Sequence, residues 1–230
     1  MRYSFPVRFP MVAGISLSIE KTRGRPRKLI DVDLLSAAAT EFLAHGYEAA
    51  SLDTIAAAAG STKPALYRRY AGKEALFEAV LRHLASEFEI DLSYLEADQR
   101  APETVLLELA EFYHRHIGSP RVQAMTRLLI SENMRFKALT IAFRKRVMQA
   151  YLPQLKAYFE RLNEAGVVGI RDVDAAAVIF TTLTGGPFEQ MLGVKIKRSE
   201  VGAHLRELVR FFLAGYGYAA TTSGRRAKPL

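Results

Sequence analysis

The stretch that decides the fold is residues 60–76, "GSTKPALYRRYAGKEAL". It places Lys63 and Lys73 at the starts of two predicted helices, and it contains no acidic residue before Glu74. A lysine in the first turn of a helix faces the positive end of the helix dipole, which is unfavourable by roughly a few tenths of a kcal/mol. A negatively charged partner outside the chain would remove that penalty.

The sequence before this stretch completes a predicted helix-turn-helix. One longer helix and two short ones each begin at a residue that favours the N-cap position: Asp31, Ser51 and Thr62. Gly60 ends the second helix, and Gly46 fits the left-handed position of a Schellman turn closed by Tyr47. Two short helices joined by a tight turn are typical of this motif, whose second helix lies in the major groove of double-stranded DNA.

The rest of the chain continues the helical pattern. Helices are predicted over residues 73–92, 102–117, 120–136, 137–163, 173–192 and 199–216. Pro153 is expected to kink or divide the longest of them. No segment alternates apolar and polar residues in the manner of a β-strand. The predicted fold class is therefore all-α, with an N-terminal three-helix domain and a larger C-terminal helical domain.

The net charge of +8 is concentrated at the two ends of the chain. Residues 1–73 carry 11 Lys or Arg against 6 Asp or Glu, and residues 74–220 carry 18 of each. The last ten residues add Arg225, Arg226 and Lys228. A charge that served solubility alone would be spread evenly, so this division favours a polyanion partner for the basic ends.

The N-terminal arm offers a second candidate contact with DNA. Arg23, Arg25 and Arg27 belong to "RGRPRK", which resembles the core of an AT-hook. Such an arm lays arginines into a narrow, A·T-rich minor groove. The alternative is an unattached arm that serves solubility.

Several classes of protein are disfavoured by the sequence. There is no cysteine, which excludes disulfides and cysteine-ligated metals. No apolar run is long enough to span a membrane, and Pro6 and Pro10 interrupt a signal peptide, so a cytoplasmic protein without a membrane partner is expected. Glu111 and His114 have the spacing of di-iron ligands, but a second such pair is missing. With no P-loop, nucleophile elbow or dinucleotide motif, we expect no metal, no cofactor and no enzymatic activity.

Residues 30–76 carry a run of motifs at fixed spacing: Ala37-Ala38, Phe42, Gly46-Tyr47, Ile55-Ala56, Gly60, Leu66-Tyr67, Tyr70 and Lys73-Glu74. This run resembles the N-terminal domain of TetR-family transcriptional regulators, over 47 of the 230 residues. Three positions depart from the commonest family pattern. Ser61 replaces a small apolar residue, Arg69 a histidine and Gly72 a capping serine. We expect Ser61 to loosen the packing of the turn.

The resemblance implies which residues contact DNA. They are Ser51, Thr62, Lys63, Pro64, Ala65, Tyr67, Arg69 and Lys73. The residues themselves add Arg68, which points about 100° away from Arg69 on a helix, so the two arginines cannot read the same base. We expect Lys63 and Arg68 to read bases, and Tyr67, Arg69 and Lys73 to contact phosphates.

The resemblance also implies that the helical body binds a ligand and forms dimers. Segment 102–117 has apolar residues on two faces and is predicted to lie centrally. The predicted ligand-binding residues, for which a packed core is the alternative, are Phe112, His116, Met125, Leu129, Phe136, Phe143, Val147 and Phe180. The predicted dimerisation residues are Ala176, Ile179, Leu183, Leu205, Leu208 and Phe212.

These observations predict four regions: a flexible basic arm (1–28), a helix-turn-helix domain (29–75), a ligand-binding and dimerisation domain (76–218) and a disordered tail (219–230). The predicted function is a homodimeric repressor, released from a palindromic operator by a small apolar or aromatic effector. Two alternatives remain from the sequence: an architectural protein that binds DNA without sequence preference, and a helical binding protein or enzyme whose helix-turn-helix is vestigial.

Overall fold

The computed structural model describes residues 27–87, 90–185 and 198–219, and within these ranges the chain is all-α, as predicted. The helices, in chain order, are α1 (Arg27–Ala49), α2 (Leu52–Ala58), α3 (Lys63–Arg69), α4 (Lys73–Glu87), α5 (Pro102–Ile117), α6 (Pro120–Glu132), α7 (Lys137–Glu164), α8 (Val173–Thr184) and α9 (Arg198–Gly215). A 3₁₀ turn, Ser93–Glu96, precedes α5. None of the helices in these ranges is both long and apolar enough to cross a lipid bilayer.

The first helix begins earlier than the sequence predicted. It starts at Arg27, so Asp31 lies inside the helix and is not its N-cap. Pro26 is the last residue before this point that would break a helix, and nothing between Arg27 and Asp31 opposes helical backbone. The predicted arm therefore overlaps α1 by two residues. Its other residues, and the predicted tail after residue 219, lie outside the described ranges.

The end of α1 also differs from the predicted turn. Gly46 has φ 76° and ψ 178°, so it takes a positive φ as predicted but not the ψ of a left-handed helical residue. The N–H of Tyr47 donates to Oε1 of Glu132 at 3.3 Å and does not close a Schellman turn. A carboxylate from α6, 85 residues further along the chain, thus satisfies the backbone at this bend.

A first compact unit takes in α1 to α4, α6 and the part of α7 up to Tyr151. Both α4 and α6 pack on α1. Phe42, Tyr47, Phe77 and Phe136 pack their rings together in its core, with centroid distances of 5.0 Å for Phe42–Phe77 and 4.8 Å for Tyr47–Phe136. Helices α4 and α6 share this core with the helix-turn-helix, so the compact unit extends beyond the domain boundary predicted after residue 75. That boundary remains a prediction about function.

A second compact unit contains the 3₁₀ turn, α5, the part of α7 from Leu152 onward, α8 and α9. Helix α5 packs against α8 and α9 and is buried on two faces, which confirms its predicted central place within this unit. Phe212 lies between Phe159 and Phe180, at centroid distances of 5.5 Å and 5.2 Å. These aromatic contacts form the core that joins α7, α8 and α9.

Helix α7 contributes to both units, and the division falls between Tyr151 and Leu152, next to Pro153. The helix runs continuously through Pro153, so the proline does not divide it. A proline inside a helix leaves the carbonyl four residues earlier without its backbone donor. The predicted end of this helix, residue 163, agrees with the observed one to within a residue.

Candidate nucleic-acid interface

Side-chain caps begin both α2 and α3, and backbone hydrogen bonds close the turn between them. Ser51 Oγ accepts from the N–H of Thr54, and Thr62 Oγ1 accepts from the N–H of Ala65, each at 3.3 Å. Gly60, at φ 61°, takes the left-handed position that favours glycine. Both predicted caps are confirmed, and their hydroxyl hydrogens stay available to donate to an external acceptor.

Ser61 does not open this turn. Its N–H donates to the carbonyl of Ala56 at 2.8 Å, while the N–H of Gly60 donates to the carbonyl of Ala57 at 3.0 Å. This pair of bonds is a Schellman motif, in which backbone groups alone satisfy the last carbonyls of the helix. Backbone groups thus close the turn, and the expected effect of the Ser61 side chain on its packing stays a prediction.

Helix α3 is fixed by one buried residue and presents the opposite face outward. Leu66 is completely buried, whereas Pro64, Tyr67 and Arg68 are exposed. At 100° per residue, Pro64 and Arg68 each lie about 160° from Leu66 around the helix, and Arg69 lies about 60° from it. Arg69 is accordingly half-buried. Arg68 is thus the arginine of the predicted pair that faces outward.

The two lysines at helix starts both have partners inside the chain. Lys63 Nζ lies 2.8 Å from Oδ2 of Asp53, in the first turn of α2. This hydrogen bond raises the pKa of the Lys63 ammonium group. Lys73 Nζ donates to the backbone carbonyl of Glu48 at 2.8 Å and lies 5.1 Å from the centre of the Tyr47 ring. The unfavourable dipole at each helix start is therefore offset internally before any external anion is bound.

Of the arm residues that the sequence assigned to DNA, Arg23 and Arg25 lie outside the described ranges. Arg27 is the first residue of α1. The predicted contact of this arm with the minor groove stays a prediction.

The predicted ligand-binding residues fall into two groups. Met125, Phe136 and Phe143 belong to the core of the first unit, with Leu129 and Val147 packed against it. Phe112, His116 and Phe180 lie in the second unit. There the His116 ring stacks on Phe112 at a centroid distance of 5.8 Å, and burial lowers its pKa. The structure thus brings five of the predicted residues together around α6 and α7, and three around α5 and α8.

The predicted dimerisation residues also divide by burial. Ile179 and Leu183 are exposed on α8, at 44% and 42%, and Leu208 is half-buried. The remaining three are buried within their own chain: Ala176, Leu205 and Phe212. Phe211, which the sequence did not single out, is 76% exposed on α9.

The sequence reasoning also missed one contact with the helix-turn-helix. Arg135, between α6 and α7, forms an ion pair with Glu48, and its guanidinium lies 4.5 Å from the centre of the Tyr47 ring. The sequence holds a signal for this contact, which appears when charge is summed over segments shorter than 74–220. Residues 120–151 carry seven Lys or Arg and one Glu, a net charge of +6 inside a region that is neutral as a whole.

Two family models match the chain. Residues 34–80 match the model described as bacterial regulatory proteins of the tetR family. Residues 104–218, half of the chain, match the model described as the C-terminal domain of an AefR-like transcriptional repressor. The first match covers the helix-turn-helix and the first half of α4, and the second covers α5 to α9.

Individual proteins agree with these models. The chain is 44% identical over 79 residues to the HTH-type transcriptional repressor ComR of Escherichia coli, an alignment that spans 34% of this chain and 37% of ComR. A crystal structure of a TetR-family transcriptional regulator from Mesorhizobium loti superposes with a TM-score of 0.73, at 26% identity over 84% of this chain and all of the other. The flavonoid-responsive regulator FrrA superposes with a TM-score of 0.63, at 28% identity over the same shares. The chain belongs to the TetR family of transcriptional regulators.

Proposed function

We propose that the chain is a homodimeric repressor that binds a palindromic operator in the cytoplasm and leaves it when a small aromatic or apolar effector binds. The observation that carries this proposal is the outward face of α3. On the helix that the motif inserts into the major groove, Pro64 and Arg68 are exposed opposite the buried anchor Leu66, and Tyr67 is exposed beside them.

Recognition would divide between bases and phosphates along this face. Arg68 would read a base edge, where a bidentate contact with guanine discriminates by about 1–3 kcal/mol. Lys63 would join it only after its ion pair with Asp53 opens. Tyr67, Arg69 and Lys73 would bind phosphates. The hydroxyl groups of Ser51 and Thr62 would donate to further phosphates while their oxygens keep capping α2 and α3.

A dimer is supported by apolar surface on α8 and α9. Val178, Ile179 and Leu183 are each more than two-fifths exposed on α8, and Phe211 is exposed on α9. Clustered apolar exposure of this kind is typical of an interface between protein chains. A single helix-turn-helix makes few contacts, so pairing two of them on a palindrome provides the specificity that one lacks.

Release by an effector is supported by the family model over residues 104–218 and by the similarity to a flavonoid-responsive regulator. We propose that the effector is aromatic, and that Phe112, His116 and Phe180 in the second unit contribute to its binding. The neutral form of His116, which burial favours, suits an aromatic or apolar ligand better than an imidazolium ion would.

The experiment that tests this proposal combines a genome-wide map of bound sites with footprinting of the strongest one. We expect a sharp footprint on one palindrome. Coverage that is uniform along the DNA would indicate an architectural protein instead. Addition of a panel of flavonoids and simpler aromatic compounds identifies the effector class, since the active compound must both raise the unfolding temperature and abolish the footprint.

A further inference from the structure

In the described part of the first unit, the positive charge lies mainly on α6 and α7 and not on the helix-turn-helix. Residues 27–92 carry seven Lys or Arg and ten Asp or Glu, a net charge of −3. Residues 120–151 carry a net charge of +6 and belong to the same compact unit. Cations outside the base-reading motif are therefore the main source of positive potential in this part of the chain.

Arg135 is the cation of this segment that reaches the motif. It lies in the short turn after α6 and forms an ion pair with the Glu48 carboxylate. Its guanidinium lies 4.5 Å from the centre of the Tyr47 ring, and Lys73 Nζ lies 5.1 Å from the centre of the same ring. Lys73 also donates to the backbone carbonyl of Glu48. Tyr47 and Glu48 thus each contact both the guanidinium and the ammonium group.

We infer that Arg135 binds the DNA backbone beside Lys73, as a phosphate contact supplied from outside the helix-turn-helix. The inference rests on the proposed function, because it requires that Lys73 faces a phosphate. The carboxylates of Glu48 and Glu132 balance the two cations at this edge, so its local charge does not by itself select a ligand. A phosphate is the ligand class that fits the planar donors of a guanidinium on a segment with a net charge of +6.

The geometry prepares Arg135 for such a contact. Its side chain is half exposed, at 49%, while the Tyr47 ring and the Phe136 ring, at 5.3 Å, hold the guanidinium. A guanidinium has five N–H donors, and the pair with Glu48 uses Nη1. The remaining donors can bind a phosphate without breaking that pair. An arginine that is already ordered also loses less side-chain entropy on binding than a free one.

The test uses the full-length protein and a fluorescein-labelled DNA duplex of mixed sequence, because a phosphate contact does not depend on the bases. Fluorescence anisotropy over a range of salt concentrations gives the slope of log K against log salt. We expect Arg135→Gln to reduce the magnitude of this slope by about 0.9 for each bound protomer, and Arg135→Lys to keep it near the wild-type value. Arg171→Ala, which removes a positive charge from an exposed position in the second unit, serves as the matched control and leaves the slope unchanged.

Two further variants make the result decisive. If Lys73→Ala reduces the slope and Arg135→Gln does not, the inference is wrong and the proposed function stands. If neither variant changes the slope, the proposed phosphate contact of Lys73 is wrong as well. The double variant Arg135→Gln with Glu48→Gln distinguishes a phosphate contact by Arg135 from neutralisation of the Glu48 carboxylate by Arg135. A double variant that regains the full wild-type slope overturns the inference, because Arg135 would then only neutralise Glu48. Thermal unfolding of each variant confirms that it is folded, and Arg135→Ala repeats the measurement if the glutamine variant is not.

Discussion

Lys63 Nζ lies 2.8 Å from Oδ2 of Asp53, so an ion pair joins the first turn of α3 to the first turn of α2. Each residue sits at the positive end of a helix dipole, where the aspartate is favoured and the lysine is not. The carboxylate offsets the unfavourable position of the lysine without an external anion. If Lys63 reads a base, its ion pair with Asp53 must therefore open first.

This relationship predicts that Asp53 restrains DNA binding. Asp53→Asn frees the Lys63 ammonium group and removes a carboxylate from the DNA-binding face. We therefore expect it to tighten binding to duplexes of any sequence, whereas Lys63→Ala weakens it. Fluorescence anisotropy at a fixed salt concentration measures both. Glu160→Gln, an equal charge change at an exposed position of α7, controls for net charge. Weaker binding by Asp53→Asn would contradict the prediction.

Arg68 is predicted to set base preference at one position of each half-site. It faces away from the buried Leu66, so Arg68→Ala removes a side chain that nothing in the core requires. We expect a loss of about 1–3 kcal/mol at the preferred base and equal affinity for the four bases there. Selection from a randomised duplex library measures this directly. An unchanged preference after the substitution would show that Arg68 does not read a base.

Lys73 is predicted to contact a phosphate and to contribute equally to all sequences. We expect Lys73→Ala to weaken binding to operator and unrelated duplexes alike, and to reduce the salt slope by about one for each protomer. The ratio of the two affinities therefore stays at its wild-type value. A loss confined to the operator would instead place Lys73 at a base edge.

Phe211 and Ile179 are predicted to lie in the dimer interface. Both are exposed apolar side chains, so Phe211→Glu or Ile179→Glu places a charge in the interface without disturbing the protomer core. Native mass spectrometry is expected to show two 25.6 kDa chains in the wild type and one in each variant. Ile130→Glu, at an exposed position of α6 in the first unit, is the matched control and remains dimeric. A wild-type protein of one chain would overturn the prediction.

The neighbouring Phe212 is expected to behave differently, because it is buried at 4% exposure between Phe159 and Phe180. Phe212→Ala should lower the free energy of unfolding by about 3–5 kcal/mol through loss of core packing. Denaturant unfolding of the variant measures this. A stable monomer would place Phe212 in the interface after all.

His114 is predicted to make the second unit sensitive to acid. Burial lowers the pKa of its imidazole, and the charges of His204 and Arg115 act in the same direction. Its Nδ1 atom is buried without a hydrogen-bond partner. In the unfolded chain the group titrates near its ordinary pKa of about 6.5, so the unfolded state binds more protons once the pH falls below that value. The folded state therefore has its full stability with respect to His114 above about pH 6.5, and it loses stability as the pH falls through the lowered pKa of the folded state.

The measurement for His114 is the unfolding temperature at about pH 7.5 and about pH 5.5. We expect the wild type to lose more stability on acidification than His114→Gln, which has no group to protonate at this position. His45→Gln replaces an exposed histidine and should retain the wild-type loss. An equal loss in all three proteins would show that other groups cause the acid sensitivity.

Local signals explain which parts of the fold were predictable. The caps Ser51 and Thr62 each accept a hydrogen bond from a backbone N–H three residues ahead, so the residues that make the contact are close in the sequence. The same holds for the glycine that ends α2. The start of α1 was missed because the chain offers two compatible starts, and the local pattern does not rank them.

Contacts between distant residues were not predictable in this way. Tyr47 bonds Glu132, and Glu48 pairs with Arg135, across 85 and 87 residues. Charge summed over residues 74–220 concealed the basic segment that makes these contacts, since acidic residues elsewhere in that range cancel it. The same limit applies to Phe211 and Phe212. They are chemically identical neighbours, and only the packing of α9 against α5 and α8 buries one and exposes the other.

The sequence by itself determined the all-α class, the helix-turn-helix and the family, because short-range caps, turns and motif spacing specify them. Only the tertiary structure decided which cations face outward, which are already paired, and which apolar residues remain at the surface. Those outcomes depend on the free energy of packing whole helices together, to which each residue contributes according to neighbours that lie far from it in the chain.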